Sequence, residues 1–378
     1  MRKIPVLTFV ICLVLILSVF AASSESTIVD SMLFQGEGTE LTLENAINTV
    51  LKSNASIIKN ELALEQAKVS YEKSKSEIDK VKMKYDSINQ SVNSMDYMNN
   101  VTLPMMNAGL MLESAQMNLD ALRTGQKSAV EQLYFSLRQA EKQCEIQKEN
   151  LEISKALYDK SKKKFELGLV AKQEVLNGEL NVLNAEVGYN SALNSLTKLK
   201  MSLNNMLGFD LMNELVLKDE LSYKAFEVES IAKVINDAFA NSSSMKALDL
   251  TYKIEALKLE ITGRQFPEGT YVYDEQEIKV DKALKDMENE QKSIELEVRE
   301  NYLDVMQKQD EIRSGEKSVE LAEEMFKLSQ TTYDAGLGLL TDVQGAQLSL
   351  QQKKLALSKA ILDYNIAVMK FNDSIGVE

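Results

Sequence analysis

Two stretches of the chain decide the fold: FELGLVAKQEV at residues 165–175 and YDAGLGLLTDV at residues 333–343. They align without a gap at a separation of 168 residues, and the alignment extends over Tyr158–Gly208 and Phe326–Gly376. An earlier pair of blocks aligns at a separation of 188 residues: 47–56 and 235–244. The chain is therefore a duplicated unit. Its first copy carries 20 additional residues between the two aligned blocks.

Apolar residues recur every seven positions in both copies. Before the glycine turns, these positions are Val130, Leu137, Cys144, Leu151, Tyr158 and Phe165, matched by Val298, Val305, Ile312, Val319, Phe326 and Tyr333. After the turns they are Val175, Val182, Tyr189, Leu196 and Leu203, matched by Val343, Leu350, Leu357, Tyr364 and Phe371. A sustained heptad repeat indicates coiled-coil helices with left-handed coiling. A helix that begins near Leu110 and ends near Leu167 would be on the order of 85 Å long.

The composition favours long helices and excludes several kinds of enzyme. Of 378 residues only 3 are proline and 15 glycine, so helix breakers are scarce. The chain has no histidine, which excludes Ser-His-Asp and Cys-His catalysis and histidine-bound zinc. We find no phosphate-binding loop or dinucleotide fingerprint, and we predict neither an enzymatic activity nor a cofactor. With 57 acidic against 43 basic residues, nucleic acid is not an expected partner.

The N-terminus predicts export from the cytoplasm. Arg2 and Lys3 precede an apolar run from Val6 to Phe20, and small residues follow at 21–24. This pattern is typical of a cleaved signal peptide, which we assign to residues 1–21. An uncleaved anchor is the alternative, although the run is shorter than the ~20 residues of a membrane span. The other predicted segments are a linker (22–40), the first repeat (41–208), a second linker (209–227) and the second repeat (228–376).

Each repeat is predicted to contain a short helix, a long helix, a break, and two long helices joined by a glycine turn. Pro104 and Pro267 lie in the two breaks, at 88–109 and 262–280, and Gly168 and Gly336 close the turns. Thr42 is expected to cap the first helix.

These features resemble the TolC-like outer-membrane efflux protein family. The resemblance rests on the duplication and on LTLENA at 41–46, GLVA at 168–171 before Glu174-Val175, YDAG at 333–336 and TDVQ at 341–344. It implies an all-α chain that forms a homotrimer with a hollow α-barrel. It also implies a passive conduit for multidrug efflux or type I secretion, working with a periplasmic adaptor protein and an inner-membrane transporter. The expected location is the outer membrane and periplasm of the cell envelope.

The predicted membrane end departs from the family. A spanning strand needs ~9–11 residues. The first break is rich in Asn, Ser and Met and does not alternate, and the second offers only 270–273 and 278–280 as strands. We therefore expect a β-barrel that is much reduced or absent. The alternative function is an extracytoplasmic structural spacer of the same fold without a membrane-spanning pore.

The glycine turns supply the candidate functional residues. Asp342 matches an acidic residue that lines the narrow entrance in the family, and Glu174 is its counterpart in the first repeat. Both are candidates for a pore constriction, or else simple first-turn acids that favour the helix dipole. The tips are expected to dock the adaptor through exposed apolar side chains, or else these side chains only pack within the turn. The tip residues are Gly168, Leu169, Val170, Gly336, Leu337, Leu339 and Leu340.

Seven methionines lie between Met83 and Met117. Thioethers suit Cu(I), which makes copper export conceivable. The favoured interpretation is that these side chains fill an irregular apolar region, so no metal site is predicted.

Overall fold

The computed structural model describes residues 35–88, 91–92, 94–219, 222–228 and 230–376. The predicted signal peptide, residues 1–21, lies outside this part of the chain.

Strand β1 (Gln35–Leu41) precedes the helices of the first repeat, which differ greatly in length. These helices are α1 (Leu43–Ser53), α2 (Ala55–Ser87), α3 (Met95–Tyr97), a π-helical turn (Met98–Thr102), α4 (Leu103–Glu166) and α5 (Lys172–Leu207). Strand β2 (Asn213–Leu217) lies in the connection between the repeats, and the second repeat follows with α6 (Ile231–Asn241), α7 (Ser243–Gly263), α8 (Tyr271–Asp334) and α9 (Leu340–Ser374).

Helix lengths reproduce the duplication. Helices α1 and α6 both have 11 residues, and α4 and α8 both have 64. The 20 additional residues of the first repeat lie in two places. Helix α2 has 33 residues against 21 in α7, and the segment before the long helix spans 88–102 in the first repeat against 264–270 in the second. From α4 onward, residue n of the first repeat therefore corresponds to residue n + 168 of the second.

Both long helices begin earlier than the sequence predicts. Helix α4 starts at Leu103 rather than near Leu110, which makes it about 95 Å long at ~1.5 Å per residue. Pro104 lies in its first turn, directly after the π-helical turn, in which the N–H of Leu103 donates to the carbonyl of Met98. Pro267 lies in the short connection between α7 and α8.

The short strands predicted at 270–273 and 278–280 are wrong. Thr270 is instead the N-cap of α8, with its side chain accepting the N–H of Tyr273 at 3.4 Å, and helix continues from Tyr271. A Glu275–Lys279 ion pair at (i, i+4) spacing supports this first stretch of helix. Within the described residues of 88–109 and 262–280 there is no strand.

The predicted caps are confirmed, and they recur in the second repeat. The Thr42 hydroxyl accepts the N–H of Asn45 at 3.2 Å, and its counterpart Ser230 accepts the N–H of Lys233 at 3.4 Å. Gly208 ends α5 with a φ of +76°. A side chain is strained in that conformation, so glycine is the suitable residue.

The four longest packed helices form a row in the order α5, α4, α9, α8. Helix α4 packs against both α5 and α9, and α8 packs against α9. Helix α2 lies along α4, while α7 packs against both α8 and α4. Helices α5 and α8 therefore form the two ends of the row.

Five buried heptad positions lie in one apolar cluster in each repeat, whereas Phe165, near the turn, is 43% exposed. In the first, Val130, Leu137 and Cys144 of α4 pack with Leu196 and Leu203 of α5. In the second, the corresponding residues of α8 and α9 pack together: Val298, Val305, Ile312, Tyr364 and Phe371. The predicted coiled-coil seam is thus the core of each hairpin.

A two-stranded parallel sheet joins the start of the first repeat to the connection between the repeats. Strand β1 pairs with β2 in the register Thr39 to Leu215 and Leu41 to Leu217, with an irregularity toward Gln35. No strand is predicted here, because the segments 22–40 and 209–227 are assigned only as linkers. Leu41, Leu215 and Leu217 join the first apolar cluster, so these segments contribute to the core.

Tyr134 anchors this sheet to α4. Its buried hydroxyl donates to the carbonyl of Leu41 at 3.0 Å or to Asp219 Oδ2 at 3.0 Å, and it accepts the N–H of Asp219 at 3.3 Å. Burial raises the pKa of the hydroxyl to about 12, so it stays protonated and able to donate.

We expect Tyr134→Phe to lower the free energy of unfolding by about 1 kcal/mol, because it removes the hydrogen bonds of the hydroxyl with the Leu41 carbonyl and with Asp219. The Leu41 carbonyl keeps the N–H of Lys218 as a donor. Tyr302 is the matched control, since it holds the corresponding position in α8 and packs in the second apolar cluster. Urea unfolding followed by circular dichroism measures both. Equal effects of Tyr134→Phe and Tyr302→Phe would contradict the anchoring role.

Candidate pore entrance and docking tips

The two glycine turns have the same backbone hydrogen bonds. The N–H of Leu169 donates to the carbonyl of Lys164 at 2.8 Å, and that of Gly168 to Phe165 at 2.9 Å. In the second turn, Leu337 donates to Thr332 at 3.0 Å and Gly336 to Tyr333 at 3.1 Å. This pair of bonds is the Schellman motif, which requires a left-handed residue after the helix. Gly168 and Gly336 meet that requirement with φ values of +70° and +74°.

Apolar side chains project into solvent at both turns. Leu169 is 69%, Leu337 84% and Leu339 64% exposed. Val170 is half-buried. Exposed leucines grouped at the end of a rod are typical of a surface that contacts a partner.

Leu340 is an exception among the predicted tip residues. It is only 2% exposed and packs with Leu157, Tyr333 and Val343 in a small cluster under the turns. The expectation that Leu340 faces solvent at the tip is therefore wrong. As the first residue of α9, it points its side chain back between the helices and belongs to the core.

Glu174 connects the two hairpins. Its carboxylate Oε1 accepts a hydrogen bond of 2.6 Å from the hydroxyl of Tyr333, which lies at the end of α8. Burial and this carboxylate raise the pKa of the Tyr333 hydroxyl above its ordinary value, so the tyrosine remains the donor. No sequence pattern predicts this contact, because it joins residues 159 positions apart on different hairpins.

Lysines of α4 strengthen the same connection. Lys164 Nζ donates to the backbone carbonyl of Tyr333 at 2.7 Å and lies 3.5 Å from the centre of its ring. Lys160 forms a 2.5 Å ion pair with Asp334. We call the contacts of Tyr333 with Glu174 and Lys164, together with the Lys160–Asp334 pair, the tip latch.

Asp342 caps its own helix. Its Oδ2 accepts the N–H of Leu339 at 3.4 Å, and its side chain is exposed in the first turn of α9. A carboxylate at this position favours the helix dipole and remains open to solvent. The two candidate acids therefore differ. The carboxylate of Glu174 binds Tyr333 of the other hairpin, whereas that of Asp342 is exposed to solvent.

The methionine side chains between Met83 and Met117 differ in their exposure to solvent. Met98 is buried, whereas Met83 and Met111 are exposed, and Met105 packs beside Tyr97 and Val101. In the part of the chain that the structure describes, no group of histidine, cysteine or acidic residues could hold a metal ion. Among the described helices, none combines the length and the apolar composition of a membrane span.

Several solved structures of outer membrane proteins share this architecture. Solved structures with the same fold include VceC of Vibrio cholerae, an outer membrane protein (13% identity, 89% of this chain and 97% of that chain, TM-score 0.68). They also include the MtrE outer membrane channel of Neisseria gonorrhoeae (13% identity, 89% of both chains, TM-score 0.68). The CmeC outer membrane channel of Campylobacter jejuni is a third (13% identity, 89% and 85%, TM-score 0.64). No curated protein matches the chain by sequence.

Two tandem repeats, each a pair of long helices closed by a glycine turn, give this chain the fold of outer membrane channels. Residues 270–377, which cover α8 and α9, match the model of the outer membrane efflux protein family. The resemblance to TolC-like efflux proteins is therefore confirmed.

Removing the Tyr333 hydroxyl should loosen the tip without unfolding the rod. We expect Tyr333→Phe to increase amide hydrogen exchange several-fold in the two turns, because the carboxylate of Glu174 loses its donor. Exchange at the heptad cores should not change. Mass spectrometry of peptides covering 160–175 and 328–343 measures the effect.

Tyr158→Phe is the control. This ring lies near the same tip on α4, and Lys162 Nζ lies 5.3 Å from its centre. If Tyr333→Phe and Tyr158→Phe leave the exchange of the turns equally unchanged, the hydroxyl does not hold the hairpins together.

Proposed function

We propose that three copies of this chain form a passive export conduit of the outer membrane and periplasm. The ring of helices would receive its substrate from an inner-membrane transporter through a periplasmic adaptor, as a component of efflux or type I secretion. The chain itself supplies no catalytic step. The single observation that carries this proposal is the pair of uncovered helix faces at the two ends of the α5-α4-α9-α8 row.

Each end helix leaves an apolar stripe exposed. On α5 the stripe consists of Leu176, Leu180, Leu183 and Val187, and on α8 it includes Leu321, Met325 and Leu328. Both stripes have the three- and four-residue spacing of one helix face. Apolar stripes of this length on a soluble surface are typical of an interface.

The duplication indicates what covers these stripes. Within the chain, Ile153 and Leu157 of α4 pack against α9 around Leu340 and Val343. Their counterparts on α8 are Leu321 and Met325, which have no such cover in one chain. The corresponding contact joins α8 of one copy to α5 of the next. Such a head-to-tail contact closes into a ring when the rotation between copies is a whole fraction of a turn.

The tips are the proposed docking surface for the adaptor. Leu169, Leu337 and Leu339 support this role because they are exposed beyond the ends of the packed helices. Gly168, Gly336 and Val170 shape the turns that carry them, and Leu340 supports the turn from inside.

Replacing Leu169 and Leu337 with Asp should abolish adaptor binding and export while the helical content remains normal. Each buried apolar side chain contributes about 1.5–3 kcal/mol to such a contact, whereas these side chains add little to the folded chain. Adaptor pull-down, drug accumulation and circular dichroism on the same variants measure the three effects.

Leu137→Asp and Val305→Asp are the contrasting variants, because both positions are fully buried in the hairpin cores. They should lose helical structure through an unpaired buried charge. Folded tip variants that still bind adaptor and export normally would exclude the docking role.

Asp342 is the proposed pore-constriction residue. In a trimer its exposed carboxylate would form a ring of three that favours cations. Asp342→Asn keeps an oxygen to cap Leu339 but removes the charge, so the cation preference of single-channel currents should fall. Glu316→Gln, at an exposed position of α8 well before the turn, should leave the cation preference unchanged. Glu174 contributes indirectly by holding the tip latch.

The spacer without a pore is the second candidate function. It is favoured by the described residues of both breaks, which form helix, turns and bends where membrane strands would be needed. Conductance of the purified protein in planar bilayers separates the two functions. Single-channel currents support the conduit, whereas a ring that assembles without conductance supports the spacer.

A further inference from the structure

A three-residue ion cluster joins the two hairpins of one chain. Lys354 of α9 binds Glu149 of α4, with Nζ 2.9 Å from Oε1 and 3.1 Å from Oε2. The same ammonium lies 3.6 Å from Oε1 of Glu323 on α8. Lys354 therefore sits between an acid of its own hairpin and an acid of the other hairpin.

At the three positions of the other repeat that correspond to this cluster, each residue carries the opposite charge. With the 168-residue correspondence, Glu149 becomes Lys317, Lys354 becomes Glu186 and Glu323 becomes Lys155. The acid-base-acid cluster within the chain thus corresponds to a base-acid-base set. Two of these residues, Lys155 and Glu186, lie on neighbouring helices of the first hairpin, whereas Lys317 lies on α8 at the other end of the row.

A second pair on the same helices is also reversed. Lys142 and Glu145 form an ion pair on α4, and their counterparts on α8 are Asp310 and Arg313, which pair in the opposite sense. The reversal therefore extends over two turns of the helix. Each of these pairs lies within one helix, and the exchange of charge at both partners preserves the attraction between them.

We propose that Lys317 of one subunit forms an ion pair with Glu186 of the next, and that this pair sets the register of the subunit boundary. The proposal rests on the ring proposed above and adds its register. Helices α4 and α9 run antiparallel, with Gln347 opposite Asn150 and Gln351 opposite Gln147. The same register places Leu183 opposite Gly315, and the apolar stripe of α5 opposite Leu321.

In one chain, Lys317 pairs with Glu320 of its own helix at 2.7 Å, and both side chains are exposed. Such a pair is weak and easily rearranged in solvent. In the ring, Glu186 would lie between Lys155 of its own subunit and Lys317 of its neighbour, as Lys354 lies between Glu323 and Glu149. The partner that this surface fits is a second copy of the same chain.

Charge exchange tests the pair. We expect Lys317→Glu and Glu186→Lys each to raise the concentration needed for trimer formation by about tenfold or more, because like charges then face each other. The double variant, which restores attraction between subunits, should recover most of the loss. Sedimentation of the full exported chain measures the oligomer, and circular dichroism checks that each variant is folded.

Lys327→Glu is the matched control, since it reverses an exposed lysine on the same helix. Ten residues further along α8, it points roughly 80° away around the helix axis. It should leave assembly unchanged.

Carbodiimide cross-linking supplies a second readout. It should join Lys317 to Glu186 only between chains, while the Lys354–Glu149 link forms within each chain as a positive control. A trimer that lacks the 317–186 link, or a double variant no better than the single ones, overturns the register but leaves the conduit standing. A chain that remains monomeric under all conditions overturns both.

Discussion

The contact between α4 and α9 is the constraint on which the rest of the molecule depends. Its centre is Gln347, a buried amide whose Nε2 donates to Asn150 and to Ser154 Oγ at 2.7 and 2.9 Å. A buried amide without partners lowers stability, so a shift of one hairpin along the other that breaks these bonds is unfavourable. The bonds therefore define one register between the two hairpins. That register brings Lys354 to Glu149 and Tyr333 to Glu174. It also leaves α5 and α8 as free edges.

Much of the fold could be predicted because the signals are local and repeated. Heptads such as Val130 and Leu137 predict the seam, and Gly168 and Gly336 predict the turns through a backbone conformation that other residues rarely adopt. The duplication then predicts that both halves fold alike. Helices α4 and α8 have the same length, and the apolar residues of their seams have the same spacing in both halves.

The features that could not be predicted join distant parts of the chain. Strands β1 and β2 lack alternation that separates them from loops, and they form only because each pairs with a distant partner, Thr39 with Leu215 and Leu41 with Leu217. Leu340 lies in the same run of apolar residues as the exposed tip leucines. It is buried because α4 packs over it, which the sequence does not indicate. The link from Glu174 to Tyr333 depends likewise on how the hairpins pack, and no pattern in either segment indicates it.

The tip latch also distinguishes the two kinds of boundary in the proposed ring. Within a chain, the Tyr333 hydroxyl holds Glu174. The counterparts are Phe165, which has no hydroxyl, and Asp342, so this hydrogen bond has no equivalent between chains. The other contacts are lost as well, since Leu328 and Thr332 stand where Lys160 and Lys164 would be needed. The two hairpins of one chain are therefore tied at the tip, whereas in the proposed ring neighbouring subunits would be held mainly along their sides. Such an entrance would open by parting between subunits, with each chain moving as one unit.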